Sequence, residues 1–288
     1  MRNDDYSLVD IPSIEAEDTM STRDATKLAA QASKATQRPF RKVLMMRHGE
    51  PLDAAFPGWT RLALLGDKYR PYDLNMPLNI PIRSLVAHID DAPLSEMGRL
   101  TAQMVGRGLR LARLEPTMII SAPELRCVHT AAALIKSLNN KNKAATICIE
   151  PGLADWRQWQ ETPPLWLSPR QLADLGLPVD VQYEPHWSVS SLQSAESVAD
   201  YGERVAAALH NVFQLTRTRD SGVVLIVGHG ATVSSDRMST VTELELADAS
   251  VPYCSVRGWH LSDDSSTLMA TLDHPIKPIH TSAFTIDS

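Results

Sequence analysis

The strongest constraint on this sequence is a plan that it states twice. Val43-Leu44-Met45-Met46 runs apolar and then breaks into Arg47-His48-Gly49-Glu50. Val223-Val224-Leu225-Ile226-Val227 does the same and breaks into Gly228-His229-Gly230. Continuous apolar runs of this length read as strands buried on both faces, the kind found in parallel sheets with helices on either side. In open sheets of that class, ligands bind beyond the carboxyl ends of the strands. Each run therefore delivers one histidine, followed by glycine, to the edge where chemistry is done.

The stretches between alternate in the same sense. Ser95 caps a helix expected to reach about Arg113, with Leu100, Met104, Leu109 and Leu111 among its apolar positions. Thr117-Met118-Ile119-Ile120 reads as a buried strand that breaks at Ser121-Ala122-Pro123, and Pro123 opens the next helix with Arg126 in its first turn. Thr146–Ile149 is a further strand, followed by the loop Glu150-Pro151-Gly152-Leu153-Ala154-Asp155-Trp156. A short helix is expected from Pro169 to Leu175, a longer one from about Glu196 to Thr216, and two tail strands at 254–261 and 268–272. Strands alternating with helices predict a three-layer α/β/α domain with a mostly parallel sheet over residues 41–288. Residues 1–40 are polar, with too little apolar surface to hold a fold, and read as a flexible leader. Residues 51–93 form a long insert, expected to be irregular, rich in proline and aromatics such as Trp59, Tyr69, Tyr72 and Pro77. Its cations Arg61, Lys68, Arg70 and Arg83 fit a solvated loop and a substrate-facing lid equally well.

A net charge of -6 argues against a general nucleic-acid binder but leaves room for a local anion pocket. Three scattered cysteines, Cys127, Cys148 and Cys254, lack the spacing of a disulfide framework or zinc site. No apolar run has the length of a membrane span, and the start lacks a signal-peptide core. The expectation is a cytoplasmic protein with neither cofactor nor metal, contacting neither membrane nor nucleic acid.

An unprotonated imidazole is a competent nucleophile toward phosphorus, and the resulting phosphohistidine splits one difficult displacement into two easier ones. The transferring group needs fixed cations, because phosphoryl transfer is mostly positioning and electrostatics. His48 is the candidate nucleophile. Arg47, Arg126 and His229 are candidates for holding the phosphoryl oxygens. Asp155 is the candidate acid for the leaving oxygen, weighed evenly against a capping or loop-bonding role. Glu50 is the alternative acid but reads more as an orienter of pocket groups, and it is placed among the substrate-binding residues. Glu196 and Ser197 read either as pocket rim or as an ordinary helix N-terminus, the second slightly favoured. Cys127 and His129 read as helix packing or surface, and His88, His186, His210, His260, His274 and His280 have no partner spacing. Trp156 and Trp159 read as core or loop anchors.

The motifs Arg47-His48-Gly49-Glu50, Pro93-Leu94-Ser95-Glu96-Met97-Gly98, Ser121 through Ala131 and Val227-Gly228-His229-Gly230 resemble the histidine phosphatase superfamily, the phosphoglycerate-mutase-like fold. Tyr69-Arg70-Pro71, Leu125-Arg126-Cys127-Val128, Glu150 to Trp156 and Ala195-Glu196-Ser197 resemble one branch of it. That branch holds the suppressor-of-T-cell-receptor-signalling phosphatases and the ecdysteroid-phosphate phosphatase. The resemblance covers about residue 41 to the end. It implies a metal-independent phosphatase with His48 as nucleophile and Arg47, Arg126 and His229 as the phosphate pocket, acting on a phosphoprotein or a small phosphomonoester. It also implies dimerisation through this domain. In layout the insect enzyme, as a stand-alone domain, is expected to be nearer than the vertebrate members with their additional modules. Two positions depart from the branch pattern. Pro51 stands where an arginine is usual, and Asp155 stands where the acid is glutamate. These departures keep open a slow enzyme, or a protein of the same fold that only binds phosphorylated ligands. A sugar-phosphate mutase is a third, less favoured reading, since a mutase must keep water from its phosphoenzyme.

Overall fold

Successive side chains of a strand point to opposite faces, yet Val43, Leu44, Met45 and Met46 are all buried. Strand β1 (Lys42–Arg47) is therefore covered on both sides. The computed structural model describes residues 42–66, 68–138, 145–156, 164–217, 222–234, 251–261 and 268–271. The leader, the turn cluster at 139–142, Trp159, His274 and His280 lie outside the described residues.

After β1 come the short helices α1 (Leu52–Ala55) and α2 (Trp59–Ala63), the two-residue strands β2 (Leu64–Leu65) and β3 (Lys68–Tyr69), and α3 (Leu85–Asp90). Helix α4 (Glu96–Leu111), β4 (Met118–Ser121), α5 (Leu125–Leu138) and β5 (Ile147–Ile149) follow. The second half holds α6 (Pro169–Asp174), α7 (Val198–Arg217), β6 (Val223–Gly228), α8 (Gly230–Ser234), β7 (Val256–Leu261) and β8 (Leu268–Thr271). The main sheet runs β5-β4-β6-β1-β7-β8. Its first four strands are mutually parallel, and β7 and β8 pair antiparallel. A sheet that is mostly parallel, with helices packed on it, matches the sequence expectation.

One expectation needs correction. The insert is not irregular throughout. It carries α1, α2 and a β2–β3 pairing around its own small core of Leu52, Trp59, Ala63 and Met76. A buried tryptophan suffices to organise a segment whose proline content hides its helices. Arg83 anchors this insert through Asp91 at 2.8 Å, both side chains buried, so it is no lid cation. Helix α4 adds a packing detail that its apolar positions do not disclose. Ser95 caps it as expected, its Oγ accepting from Gly98 N–H at 3.0 Å. Its inward face, however, is Gly98, Ala102, Val105, Gly106 and Leu109, while Leu100 and Leu111 are exposed. Small residues let α4 sit close on α5, and a Cβ on Gly106 would stand 2.7 Å from Leu134 O.

One close approach positions the site. A Cβ on Gly98 would lie 2.3 Å from Glu50 O, so the first turn of α4 presses directly on the loop after β1. Gly98→Ala should therefore lower stability to urea by about 1–3 kcal/mol. Gly108→Ala, which meets nothing within 4 Å, should raise it by roughly 0.5–1 kcal/mol because helix-interior glycine is entropically costly. Equal effects of the two would refute the close-packing account.

Candidate active site

The register of β1 against β6 builds the centre of the site. Met46 pairs with Val227 and Arg47 with Gly228, so His48 and His229 emerge side by side from adjacent parallel strands. The His48 backbone N–H donates to Gly228 O at 2.9 Å, and Gly49 N–H donates to Thr130 Oγ1 at 2.8 Å. The two imidazole centroids are 5.3 Å apart at 67°, and both rings are buried.

Their chemical states differ. His48 Nδ1 lies 2.8 Å from Gly49 O. A carbonyl only accepts, so Nδ1 carries the proton and the Nε2 lone pair is left bare for attack. Burial, with Arg126 and His229 nearby, holds the His48 pKa well below its ordinary value. His229 goes the other way. Burial alone would lower it, but Asp155, Cys127 and Glu124 around it lift it well above the usual range. Its Nε2 donates to Glu124 Oε2 at 3.1 Å, and its Nδ1 is 3.3 Å from Asp155 Oδ2. That second contact lacks hydrogen-bond alignment, so the buried Nδ1 has no hydrogen-bond partner among the described residues. One ring is biased toward the neutral form and its neighbour toward the cation, a split that suits acid–base chemistry at a single site.

Arg126, in the first turn of α5, donates to Asp155 Oδ2 at 2.9 Å. Asp155 comes from the loop after β5, where Pro151–Leu153 forms a short 3₁₀ turn. Burial would raise the Asp155 pKa, but His229, Arg126 and His48 outweigh it and keep the carboxyl well below the carboxylate range. Arg126, Asp155, His229 and His48 thus converge as the sequence anticipates. Arg47 points to Val251 O, and its guanidinium stacks 4.3 Å from the centre of the Tyr253 ring, which in turn lies 5.6 Å from the His48 ring. Glu50 is directed elsewhere. Its carboxylate accepts from Ser95 Oγ at 2.6 Å and Asn75 Nδ2 at 3.1 Å, which ties the loop to α4 and the insert. Pro51 is buried and bridges Leu94, giving the site no charge.

Three residues escaped the sequence reading. Glu124 is buried under the centre, with Oε2 against His229 and Oε1 accepting Asp155 N–H at 2.8 Å. Tyr253 supports both Arg47 and His48. Arg204, in α7, is the third. It pairs with Glu196 at 2.7 Å, both side chains buried, and donates to the carbonyls of Gly152, Ala154 and Asp155. Glu196 is therefore half of a clamp on the acid-bearing loop rather than a simple helix start. Ser197 does cap α7, exchanging hydrogen bonds with Asp200. Trp156 anchors the same loop, its Nε1–H donating to Glu196 O at 2.9 Å. A glutamate just before a helical arginine and an arginine eight residues after a glutamate were the available signals. Neither discloses its partner without coordinates.

Cys127 lies beneath His229, with Sγ 3.7 Å from Nε2, and His129 faces a separate groove of about 820 Å³ lined by Tyr72, Met76, Leu94, Arg99 and Lys136. Neither imidazole of the centre lines that groove. Arg204→Met leaves Glu196 buried and unpaired and frees three carbonyls. The expected cost is about 3–5 kcal/mol of folding stability, read by urea unfolding. A change under about 0.5 kcal/mol, the size of an ordinary surface substitution, would refute the clamp.

Against known proteins, residues 83–271 match the family model described as histidine phosphatase superfamily, branch 1. The chain is 34% identical over 202 residues to human ubiquitin-associated and SH3 domain-containing protein A, covering 68% of this chain and 30% of that one. It is 28% identical over 249 residues to the ecdysteroid-phosphate phosphatase of Bombyx mori, covering 82% of this chain and 37% of that one. The chain thus spans about a third of the length of either relative. The expected contrast in layout, with the insect enzyme as the stand-alone domain, does not hold, since both relatives extend well beyond the shared part. The crystal structure of the silkworm ecdysone phosphate phosphatase with tungstate superposes with a TM-score of 0.69 at 28% identity, covering 82% of this chain and 93% of that one. By the family match and by a fold shared with a phosphatase of that branch, this chain belongs to the histidine phosphatase superfamily.

Proposed function

We propose that this chain hydrolyses phosphomonoesters through a phosphohistidine on His48, without a metal ion. The observation that carries the reading is the pairing of a bare, unprotonated His48 Nε2 with a cationic His229 5.3 Å away. In the first step Nε2 attacks phosphorus and the ester P–O bond breaks. Arg126, Arg47 and His229 Nδ1–H hold the phosphoryl oxygens, and the leaving oxygen takes a proton from Asp155. In the second step water attacks phosphorus and gives a proton back to Asp155 as the P–N bond breaks, which restores His48 and releases inorganic phosphate. The silkworm relative's structure holds tungstate, a tetrahedral oxyanion of the shape this pocket suits.

Asp155 and a phosphoryl group compete for the same donors. A bound phosphoryl displaces Asp155 from Arg126 and His229, and its own negative charge then raises the carboxyl's pKa. Substrate thereby prepares its own acid. The substrate class in this reading is a protein phosphotyrosine or a small alcohol such as a steroid phosphate, in keeping with the silkworm relative's name. A cytoplasmic location and a homodimer complete the proposal. Three buried free thiols suit a reducing compartment, and no helix among the described residues is long and apolar enough to cross a membrane.

A second reading is favoured by the tight hold of Arg126 and His229 on Asp155 together with uncharged Pro51. In it the fold binds phosphorylated ligands with little turnover. Pro51→Arg combined with Asp155→Glu separates the two. A silent wild type revived by that pair supports the binding protein, and an active wild type refutes it.

His48→Ala should cut p-nitrophenyl phosphate hydrolysis on the order of 10³-fold or more, while a chelator leaves the wild type unchanged. Undiminished turnover in the variant would end the mechanism. The pH dependence has a definite sign. Free enzyme carries Asp155 ionised, so the one proton needed must arrive on the substrate, whose second phosphate pKa is about 6. Above about pH 6, kcat/KM should fall, while the lowered His48 pKa moves the acid limb well below its ordinary value. A kcat/KM that climbs from neutral into alkaline pH would contradict this.

A further inference from the structure

Beneath the phosphate pocket, Glu124, Cys127 and His229 bring one carboxylate oxygen, one sulfur and one ring nitrogen within 4.8 Å of one another. All three side chains are buried. His229 Nε2 lies 3.1 Å from Glu124 Oε2 and 3.7 Å from Cys127 Sγ. A zinc-like ion sits about 2.0 Å from nitrogen and oxygen and about 2.3 Å from sulfur, so the two spacings from His229 Nε2 subtend roughly 100° and 120° at the ion, each near the tetrahedral angle, and the oxygen–sulfur pair is within 4.8 Å. Glu124 stands directly before α5, Cys127 lies in its first turn and His229 directly follows β6, so all three residues sit at or beside regular elements.

We propose that Glu124, Cys127 and His229 form a binding site for a borderline-soft divalent transition cation of the zinc or cobalt kind. The mixed nitrogen, oxygen and thiolate donors select such an ion over magnesium or calcium, which take oxygen ligands. Binding replaces two protons, one from the Cys127 thiol and one from His229 Nε2, and both go to solvent. The formal charge of the group stays constant. Before binding, an imidazolium balances a carboxylate. Afterwards a divalent ion balances a carboxylate and a thiolate beside a neutral imidazole. Positive charge moves from the ring that faces His48 to the far side of that ring, and Glu124, whose other oxygen holds Asp155 N–H, is drawn with it. The cation is thus an inhibitor of the phosphatase rather than its cofactor. The inhibition rests on the reading under Proposed function; the binding does not.

The test is a titration of the full chain, freed of metal, with cobalt(II), followed by near-ultraviolet absorption. A thiolate-to-cobalt charge-transfer band saturating at one equivalent is expected. The chain has three cysteines, so the double variant Cys148→Ala/Cys254→Ala should keep the band and Cys127→Ala should lose it. The double variant assigns the sulfur even where Cys127→Ala does not fold. No band in the wild type, a band surviving in folded Cys127→Ala, or a band lost in the double variant overturns the site. Zinc chloride at saturation should lower p-nitrophenyl phosphate turnover by about tenfold or more, with recovery on adding a chelator. If His48→Ala leaves turnover intact, the phosphatase mechanism fails, while the cobalt band still decides this site.

Discussion

The pairing of β1 with β6 is the constraint on which the rest depends. Both strands are buried on both faces, and their parallel register places Arg47 opposite Gly228. A slip of one residue would turn every side chain to the other face, sending His48 and His229 to opposite sides of the sheet. The loop after β1 is then held from three directions. Gly228 O takes its backbone N–H, Thr130 takes that of Gly49, and the first turn of α4 leaves no room for a Cβ at Gly98. The His48 imidazole is positioned by backbone contacts on both sides of its residue.

Electrostatics then divides the labour between two chemically identical residues. His48 is surrounded by cations and burial, and both disfavour its protonation. His229 has carboxylates at both nitrogens, and they overcome the same burial. Interactions of this kind are stronger inside a protein than in water, so the placement of Asp155 and Glu124 governs how strongly His229 holds its proton. This gives the Arg204–Glu196 clamp its significance. A buried ion pair is weak evidence for net stability, but three carbonyl hydrogen bonds from Arg204 fix the path of the loop that carries Asp155.

What the sequence disclosed follows from what is local. Apolar runs ending in Arg-His-Gly and Gly-His-Gly located the strands and the imidazoles, and Ser95 and Pro123 marked helix starts within a residue or two. Arg126 at a helix start and Asp155 on the loop after its strand were picked out by position and chemistry, and the fold brings them together at 2.9 Å. Glu124, Arg204 and Tyr253 were not legible, because each acts on a partner that the chain separates from it and the fold brings back. The insert was misread because proline-rich composition obscures short helices gathered around Trp59. The packing face of α4 was not assigned from its sequence, in which Leu100 and Leu111 are prominent yet exposed. The α4–α5 contact instead selects the small residues Ala102 and Gly106.

The central claim is that one tetrahedral group fits between His48 and His229 within bonding reach of the first. A crystal structure of the full chain with orthovanadate tests it most directly. The account predicts vanadium bonded to His48 Nε2, with Arg126 and His229 Nδ1 donating to its oxygens and Asp155 displaced from both. Vanadate bound at another residue, or an unaltered Arg126–Asp155 pair beside a bound anion, would contradict it.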